Sequence, residues 1–396
     1  MKRLLAGTAL AGALVTGVAC AEGRLTGLVG VEGRYFFETA QGDRLPPTNL
    51  SVFGELEYYR ALDSGSGNLA ITPFVRFDEH DTERTHVDLR ELLWLRTGGT
   101  WELRAGISRV FWGVTESRHL VDIINQTDAV ESVDGEQKLG QPMVRLSLFS
   151  GWGTLDFYVL PYFRERVFPG EDGRPGVRLP VDTDKPRYAS RQKQRHVDAA
   201  VRWSHFIGDW DFGLAHFTGT NREPRLVPDA RDGRLVLVPY YDLVDRTSLD
   251  AQFTRDGWLW KLEALHQSGG PETFNAAVAG FEYTFLGVAG RATDIGLLAE
   301  YLHDGRGSGA ESPYQNDIFI GLRWQLNDRQ STEALIGAIQ DLDGGGHAVQ
   351  LKASRRVGQQ FTASLEAWAI GDTTDDPALR GLRRDGFLQL RVIWFF

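Results

Sequence analysis

The sequence predicts an all-β fold, a transmembrane antiparallel up-and-down β-barrel of about 18 strands. Three observations lead to this prediction: an apolar C-terminal segment with two-residue alternation, similar alternation in many other segments, and long and short connections that alternate along the chain. A strand places successive side chains on opposite faces, so alternation of apolar and polar residues predicts strands. In a membrane barrel the apolar face contacts lipid and the polar face lines the lumen.

The C-terminal segment shows this alternation to the last residue. One face carries only apolar residues, namely Leu388, Leu390, Val392, Trp394 and Phe396. The other face carries Gln389 and Arg391, followed by Ile393 and Phe395. An unpaired apolar edge strand recruits other chains, whereas a strand that closes a barrel has both edges paired. This ending resembles the closing strand of bacterial outer-membrane barrel proteins, and the resemblance implies that Trp394 and Phe396 belong to the signal read by the barrel insertion machinery.

The N-terminus has the pattern of a secretory signal peptide. A positively charged start, Met-Lys-Arg, precedes an apolar or small stretch over 4–19, and Ala19-Cys20-Ala21 fits an A-x-A cleavage site. We expect cleavage after Ala21. Residues 1–21 would then be a cleaved signal peptide and residues 22–396 a single outer-membrane barrel domain.

The alternative interpretation is a lipoprotein in which Cys20 becomes the acylated first residue. Lipoproteins usually have a large aliphatic residue three positions before that cysteine, and this chain has Gly17 there. Cleavage after Ala21 removes the only cysteine, so the mature protein would have no disulfide or thiol chemistry.

Composition excludes one class of partner and is consistent with strands. The formal charge is −10, and removal of Lys2 and Arg3 with the signal peptide lowers it to −12. That charge excludes a generally basic nucleic-acid binder. No mature segment approaches the roughly 18 apolar residues of a membrane-spanning helix. The 45 glycines and 11% aromatic residues suit a strand-and-turn protein. A secreted all-β enzyme or lectin is the alternative that would share this composition.

Strands are predicted wherever alternation recurs between turn signals. The predicted strands are 25–37, 50–60, 68–78, 86–97, 100–109, 142–148, 153–162, 195–206, 209–219, 242–255, 257–268, 273–285, 290–303, 314–326, 330–341, 346–356, 359–371 and 386–396. Sixteen strands are the alternative if the segments at 142–162 or at 257–285 merge.

Connection lengths indicate the topology. Even-numbered connections are tight and rich in Gly, Asp or Asn, as at 98–99, 150–152, 256–257 and 357–358. Odd-numbered connections are mostly long and polar, as at 38–49, 110–141, 163–194, 220–241, 304–313 and 372–385. Outer-membrane barrels have short periplasmic turns and long outer loops, so the pattern is typical of that class.

The connection 110–141 is the main candidate for a functional element. Two cations, Arg118 and Lys138, oppose six acidic residues, which gives a formal charge of −4: Glu116, Asp122, Asp128, Glu131, Asp134 and Glu136. The loop at this place in general diffusion porins folds inward and narrows the pore, and that resemblance implies an acidic constriction here. Apolar spacing over Leu120–Val133 also predicts a short helix. The alternative is an outer loop that covers the rim or packs on a neighbouring subunit.

The same connection carries a short motif. Trp112-Gly113 is followed by Asp122-Ile123-Ile124-Asn125-Gln126-Thr127-Asp128. It resembles the W-G…D-x-I-N-P-x-D element of poorly characterised proteobacterial porin-like barrels, some of them related to polysaccharide exporters. Gln126 stands where that element has proline. A binding role and a structural role both remain open, because Asp and Asn side chains commonly bond nearby backbone in loops.

Charged residues on the polar faces of the strands are expected to line the lumen, because an Arg or Lys facing lipid costs roughly 2–4 kcal/mol at the midplane. The predicted lumen arginines are Arg76, Arg90, Arg104, Arg145, Arg202, Arg323 and Arg391. The predicted lumen acids are Asp88, Glu102, Asp156, Asp198, Asp211 and Glu366. They would either set a transverse field with the acidic loop or form salt bridges along the wall. The basic connection 163–194 would bind an anionic solute, bind lipopolysaccharide phosphates or remain solvated.

The function predicted from the sequence is passive diffusion of small hydrophilic solutes through the outer membrane of a Gram-negative bacterium. No catalytic or metal motif of known spacing occurs, so no enzyme activity and no cofactor are expected. Expected partners are outer-membrane lipid and lipopolysaccharide, the barrel insertion machinery and small polar solutes, with a homotrimer as one assembly. The alternatives are a substrate-specific channel or exporter for acidic solutes or polymers, and a scaffold barrel that holds a periplasmic partner.

Overall fold

The computed structural model describes residues 23–39, 45–62, 66–176, 179–310, 312–371 and 382–396. The predicted signal peptide, residues 1–21, lies outside the described residues. Twenty-one strands follow one another in the described chain: β1 Gly23–Phe36, β2 Thr48–Leu62, β3 Gly67–Asp78, β4 His86–Thr97, β5 Trp101–Ser108, β6 Gln141–Ser150, β7 Gly153–Leu160, β8 Arg187–Tyr188, β9 Asp198–Ile207, β10 Trp210–Thr220, β11 Arg225–Arg231, β12 Arg234–Tyr241, β13 Leu243–Arg255, β14 Trp258–Gly269, β15 Phe274–Phe285, β16 Asp294–Asp304, β17 Asn316–Gln325, β18 Glu333–Asp341, β19 His347–Val357, β20 Phe361–Gly371 and β21 Phe387–Phe395.

Eighteen of these strands form one closed antiparallel barrel, in which each strand pairs with the barrel strands before and after it in the chain. The other three, β8, β11 and β12, form a separate small sheet, so β7 pairs with β9 and β10 with β13. The barrel closes where β1 pairs with β21, in a register that runs from Leu28 opposite Phe395 to Phe36 opposite Phe387. Gly27 and Phe396 extend this pairing with two backbone hydrogen bonds of 3.0 Å. Closure leaves no unpaired edge, which explains how the chain can end on an apolar strand. The predicted fold and strand number are confirmed, and each of the 18 predicted segments corresponds to one barrel strand.

The longest connections and most of the short turns lie at opposite ends of the barrel, as the sequence predicts; the exceptions include the short connection 270–273 and the longer connection 286–293. The turn between β13 and β14 contains only Asp256 and Gly257, with φ of 49° and 82°. Positive φ at both positions is the geometry of a two-residue hairpin turn, and it favours glycine at the second position. The longest connections, 109–140, 161–197 and 221–242, all lie at the other end.

Side chains sort between the two faces as alternation predicts. Along β21, Leu388, Leu390 and Val392 are 38–53% exposed on the outer face, whereas Gln389 is only 3% exposed on the inner face. Buried charged residues collect inside the barrel, and among the described residues no helix is long and apolar enough to cross a bilayer. The outer wall is therefore apolar and the interior polar, which suits a barrel in lipid.

Two local predictions are wrong. Residues Leu120–Val133 form turns and not a short helix. The backbone amide of Asp128 donates to the carbonyl of Gln137, so this part of the loop pairs across to its returning segment instead of coiling on itself. The connection 220–241 is also more regular than predicted, because β11 and β12 form a hairpin around Asp232-Gly233 and β12 pairs in parallel with β8.

Candidate functional site

The connection between β5 and β6, residues 109–140, is here called the lumen loop because it enters the barrel interior. Asn125 fixes its base and is fully buried. The Oδ1 atom of Asn125 accepts a hydrogen bond from the backbone amide of Val110, and its Nδ2 atom donates to the carbonyls of Ser108 and Leu139. One side chain thereby joins both ends of the loop, so the contacts of Asn125 support the structural interpretation of the D-x-I-N motif.

The tip of the lumen loop attaches to the wall formed by β14 and β16. Glu263, on β14, accepts hydrogen bonds from the backbone amides of Val114, Thr115 and Val121 at 2.7–3.0 Å. Glu300, on β16, accepts hydrogen bonds from the amides of Glu116 and Ser117 at 2.8 Å each. Both carboxylates are at most 2% exposed, and charge-assisted bonds of this kind are stronger than neutral ones.

Gly113 makes this approach possible. Its φ is 135°, which disfavours a residue with a side chain, and a Cβ atom built there would lie 2.8 Å from Oε1 of Glu263. The glycine of the W-G element therefore allows the backbone of the lumen loop to reach the carboxylate.

The other part of the lumen loop attaches to different strands. Glu131 forms a two-point ion pair with Arg76 of β3, with both N–O distances 2.7 Å. Lys352 of β19 lies 2.6 Å from Asp134 and 2.7 Å from Glu136. Because these strands lie well apart around the barrel, the lumen loop crosses the interior and is held at several points on the wall.

Apolar packing holds the lumen loop against a third part of the wall. Trp112, Val121, Ile123 and Ile124 are at most 3% exposed and form one buried cluster with residues of β6, β7, β9, β10 and β13, namely Met143, Tyr158, Leu160, Ala200, Ala215, Phe217 and Val244. Their low exposure shows that this side of the interior is filled and not open to water. Burial of each large apolar side chain contributes about 1.5–3 kcal/mol.

The predicted site residues fall into two groups. Residues that join the lumen loop to the wall are Arg76 with Glu131, Arg323 with Glu116 at 2.6 Å, and Arg90, which lies 3.6 Å from Glu131. The second group has partners on the wall itself. Arg104 and Arg145 share Glu102, at 2.6 and 3.0 Å, and Arg202 pairs with Asp250 at 2.6 Å.

Asp122 and Asp128 of the lumen loop are buried, with exposures of 7% and 2%. Lys138 lies 3.4 Å from Asp122 within the same loop. Burial raises the pKa of Asp122, and burial together with the charge of Glu131 raises the pKa of Asp128 to about 6. Burial also opposes ionisation of Glu131, but Arg76 and other nearby arginines outweigh it and lower the pKa of Glu131. These groups therefore interact with one another and with the wall.

A buried cluster around Glu32 of β1 was not predicted. Glu32 is 1% exposed and lies 2.5 Å from Arg391, 2.6 Å from Arg84 and 3.3 Å from Arg34. Its signal in the sequence is the single acid of β1, at an inward position two residues before Arg34. Arg34 is a neighbour on β1, but Arg391 comes from β21 and Arg84 from the connection after β3, so the cluster as a whole could not be read from local sequence.

The connection between β7 and β9, residues 161–197, is here called the mouth loop because it reaches over the barrel opening. The guanidinium of Arg174 donates to Asp385 at 2.8 Å, and the amide of Gly170 donates to Asp81 at 3.1 Å. Both acceptors belong to connections on another side of the barrel. A cavity of about 460 Å³ lies between the mouth loop and the lumen loop.

Among the described residues, no group of three His, Cys, Asp or Glu side chains has the arrangement of a metal site. Many charged side chains of the interior instead pair with one another or with backbone amides, whereas Oδ2 of Asp122 and Oδ1 of Asp128 are buried without a hydrogen-bond partner in the described part of the chain. A polar interior with a shaped cavity is suited to binding or conducting solutes, as in membrane barrels with polar interiors.

No protein-family model and no curated protein matches this sequence. Among solved structures, the chain is similar to OpdO of Pseudomonas aeruginosa, with a TM-score of 0.55 and 12% identity over 94% of this chain and 96% of OpdO. A triple mutant of Rhodopseudomonas blastica porin aligns over 94% of this chain and all of its own, with a TM-score of 0.46 and 11% identity. The likeness to OpdO is one of architecture. Together with the closed barrel of 18 strands, it assigns this chain to the porin-like β-barrel fold.

Proposed function

We propose that this protein is an outer-membrane channel of a Gram-negative bacterium through which small hydrophilic solutes diffuse. The observation that carries the proposal is the lumen loop, which crosses the barrel and bonds to Arg76 on one side and to Glu263 and Glu300 on another. A barrel of this strand number encloses a lumen wide enough for water and solutes. The lumen loop then narrows the path through this lumen.

The constriction would lie beside the lumen loop, where charges are largely paired. Glu116, Glu131 and Asp122 each have a cationic partner, whereas Asp134 and Glu136 share the single ammonium of Lys352. Two carboxylates against one cation leave a net negative charge, and charged linings control selectivity in confined water. The channel would therefore favour cations weakly, by less than the loop charge of −4 suggests.

The partners of the channel follow from its place in the membrane. The outer face would contact lipid, the long loops would contact lipopolysaccharide, and the closing strand with Trp394 and Phe396 would be recognised by the insertion machinery. The assembly would be a monomer or a homotrimer. Diffusion of a solute down its gradient requires neither a catalytic group nor a cofactor.

The test is single-channel current from the purified protein in a planar bilayer with a salt gradient across it. The expected result is a stable ohmic current whose reversal potential indicates a weak cation preference. An absence of current from a well-folded, heat-modifiable barrel would overturn the proposal and favour a scaffold barrel. A clear anion preference would retain the channel but assign its selectivity to the wall arginines.

A further inference from the structure

The cavity between the lumen loop and the mouth loop has the size of a small-molecule site. The lumen loop forms its floor with residues 116–138. The mouth loop contributes Phe168, Pro169 and Pro175, and the connection after β10 contributes Arg222 and Glu223. A solute that enters the barrel from the long-loop end would therefore occupy this cavity before it reaches the constriction.

One side of the cavity carries an excess of positive charge. This side is the neighbourhood of Glu223, where the lining contributes Arg118, Arg166 and Arg246 against that one carboxylate. Elsewhere the lining also includes the acids Glu116, Asp122, Asp134, Glu136 and Asp317 and the cations Lys138, Arg222 and Lys352. Arg118 lies 3.5 Å from Glu223, and Arg118 also lies 3.7 Å from Asp304. Burial opposes ionisation of Glu223, but Arg118, Arg246 and neighbouring arginines outweigh it and lower its pKa to about 2.

Two of these guanidiniums hydrogen-bond to neutral groups. Arg246 donates to Oε1 of Gln267 at 2.6 and 3.0 Å. Arg166 donates to Oε1 of Gln126 at 3.3 Å and to the carbonyl of Arg222 at 2.9 Å. Neutral acceptors orient a guanidinium without neutralising its charge, so the positive charge remains available to an anion.

Another part of the same lining contributes several apolar side chains, next to the polar Gln350, which pairs opposite Trp368. The apolar side chains include Tyr314, Ile339, Trp368 and Ile370, which come from β18, β20 and the connection before β17. Arg118 joins the two sides, because its guanidinium lies 5.8 Å from the centre of the Tyr314 ring and donates to the Tyr314 carbonyl at 3.4 Å. An ion alone would use only the arginine side, whereas an apolar molecule would leave the guanidiniums without a counter-charge.

We infer that this cavity binds an organic anion in which one negatively charged group is attached to an apolar body. The charged group would lie between Arg166 and Arg246, and the apolar body would lie against Tyr314 and Trp368. The inference rests on the proposed channel function and names the class of solute that the channel would take up selectively.

The test compares three probes on the full mature protein in detergent by isothermal titration calorimetry. Phenylpropionate carries both features, acetate carries only the charge, and phenylpropanol carries only the apolar body. The expected result is saturable binding of phenylpropionate at least tenfold tighter than that of either other probe. Equal binding of the three probes, or no binding of any, would overturn the inference.

Variants locate the site. Arg166→Gln together with Arg246→Gln should weaken phenylpropionate binding at least tenfold and leave phenylpropanol binding unchanged. Arg255→Gln is the matched control, because Arg255 lies on the same strand as Arg246 but does not line the cavity, and its side chain is 66% exposed. Unchanged phenylpropionate binding by a folded double variant would show that the anion binds elsewhere. If the double variant does not fold, the comparison of three probes on the unaltered protein still decides.

Current measurements separate this inference from the channel function. Phenylpropionate should block single-channel current in a concentration-dependent way, and acetate at the same concentrations should not. A channel that conducts but shows no difference between the two anions would retain the proposed function and overturn the inference. A barrel that binds phenylpropionate in the calorimeter but carries no current would retain the binding site and overturn the proposed channel function.

Discussion

The carboxylate of Glu263 accepts a hydrogen bond of 2.7 Å from the backbone amide of Val114, although the two residues are 149 positions apart in the chain. This contact places the tip of the lumen loop on the wall of the barrel. It belongs to a group of three amide-to-carboxylate bonds on one buried side chain, which also involves Thr115 and Val121. The path of the loop through the lumen therefore depends on a buried charge.

Glu263→Gln should loosen the lumen loop. The amide side chain keeps one acceptor oxygen and brings an NH2 group against backbone donors, so at least one buried amide loses its partner. A loss of about 1–3 kcal/mol in the free energy of unfolding is expected. Urea unfolding measures the loss, and single-channel current should become noisier. Glu333→Gln is the control, because Glu333 is exposed and accepts a hydrogen bond from the Ser354 hydroxyl, not from a buried backbone amide. Identical noise in both variants would show that Glu263 does not hold the loop.

Arg76 and Glu131 should be energetically coupled. Their two-point ion pair is buried, and breaking a buried pair of this kind costs about 3–5 kcal/mol. Arg90 lies 3.6 Å from Glu131 and Glu32 lies 3.6 Å from Arg76, so each remaining charge keeps a weaker partner and the loss should fall at the lower end of that range. Glu131→Gln and Arg76→Gln should each destabilise the barrel, and the double variant should lose much less than the sum of both. A double-mutant cycle from urea unfolding measures the coupling. Additive losses would mean that the two side chains act independently.

Much of the fold was predictable from the sequence, because strand alternation and turn chemistry are local. The turn at Asp256-Gly257 and the alternation of β21 are examples that a window of about ten residues contains. The path of the lumen loop was suggested only by resemblance. Its contacts, such as Glu263 with Val114 or Lys352 with Asp134, join residues that local sequence cannot relate.

The two wrong local predictions, the irregular connection 220–241 and the helix at Leu120–Val133, have different physical causes. The β11–β12 hairpin had a readable signal, since Asp232-Gly233 lies between two strand-forming segments, but its polar loop composition obscured it. The predicted helix at Leu120–Val133 is wrong because its signal, the spacing of apolar residues, is misleading. Its apolar residues do not form one helical face; Val121, Ile123 and Ile124 pack together on the barrel wall.

Stability should depend on pH through Asp128. Its pKa is raised from 3.8 to about 6, chiefly by burial, so the folded loop holds this proton more tightly than the unfolded chain. The resulting stabilisation is complete below the ordinary value and is lost as the pH rises through about 6. Asp128→Asn should flatten the dependence of the urea midpoint on pH between about pH 4 and 7. A dependence as steep as that of the unaltered protein would assign it to other groups.

Ion selectivity should respond more to Glu136 than to Asp122. The Glu136 side chain is 46% exposed to the cavity and shares Lys352 with Asp134, whereas Asp122 is buried beside Lys138. Glu136→Gln should therefore move the reversal potential in a salt gradient away from cation preference, and Asp122→Asn should move it less. The two variants control for each other, since each removes one negative charge from the lumen loop. A larger shift for Asp122→Asn would place the conducting path on the other side of the loop.

Phe396 should matter more for assembly than for the final fold. Its backbone exchanges two hydrogen bonds with Gly27, and these bonds do not depend on the side chain. Its ring lies against Gly27 and 4.9 Å from the ring of Trp394, at the point where the barrel closes. Phe396→Ala should therefore keep the closed register while removing the aromatic residue that the insertion machinery is expected to recognise.

The measurement for Phe396→Ala is the rate at which the heat-modifiable form appears in cells after a pulse of synthesis. We expect a severalfold slower rate, together with an unchanged urea midpoint once the barrel has formed. Phe361→Ala is the matched control, because Phe361 is 44% exposed on β20 and its backbone pairs with Trp394 at the same end of the barrel. Equal slowing in both variants would mean that aromatic contacts with lipid, and not the terminal signal, limit assembly. A lower midpoint for Phe396→Ala alone would instead assign the ring a role in holding the closed barrel together.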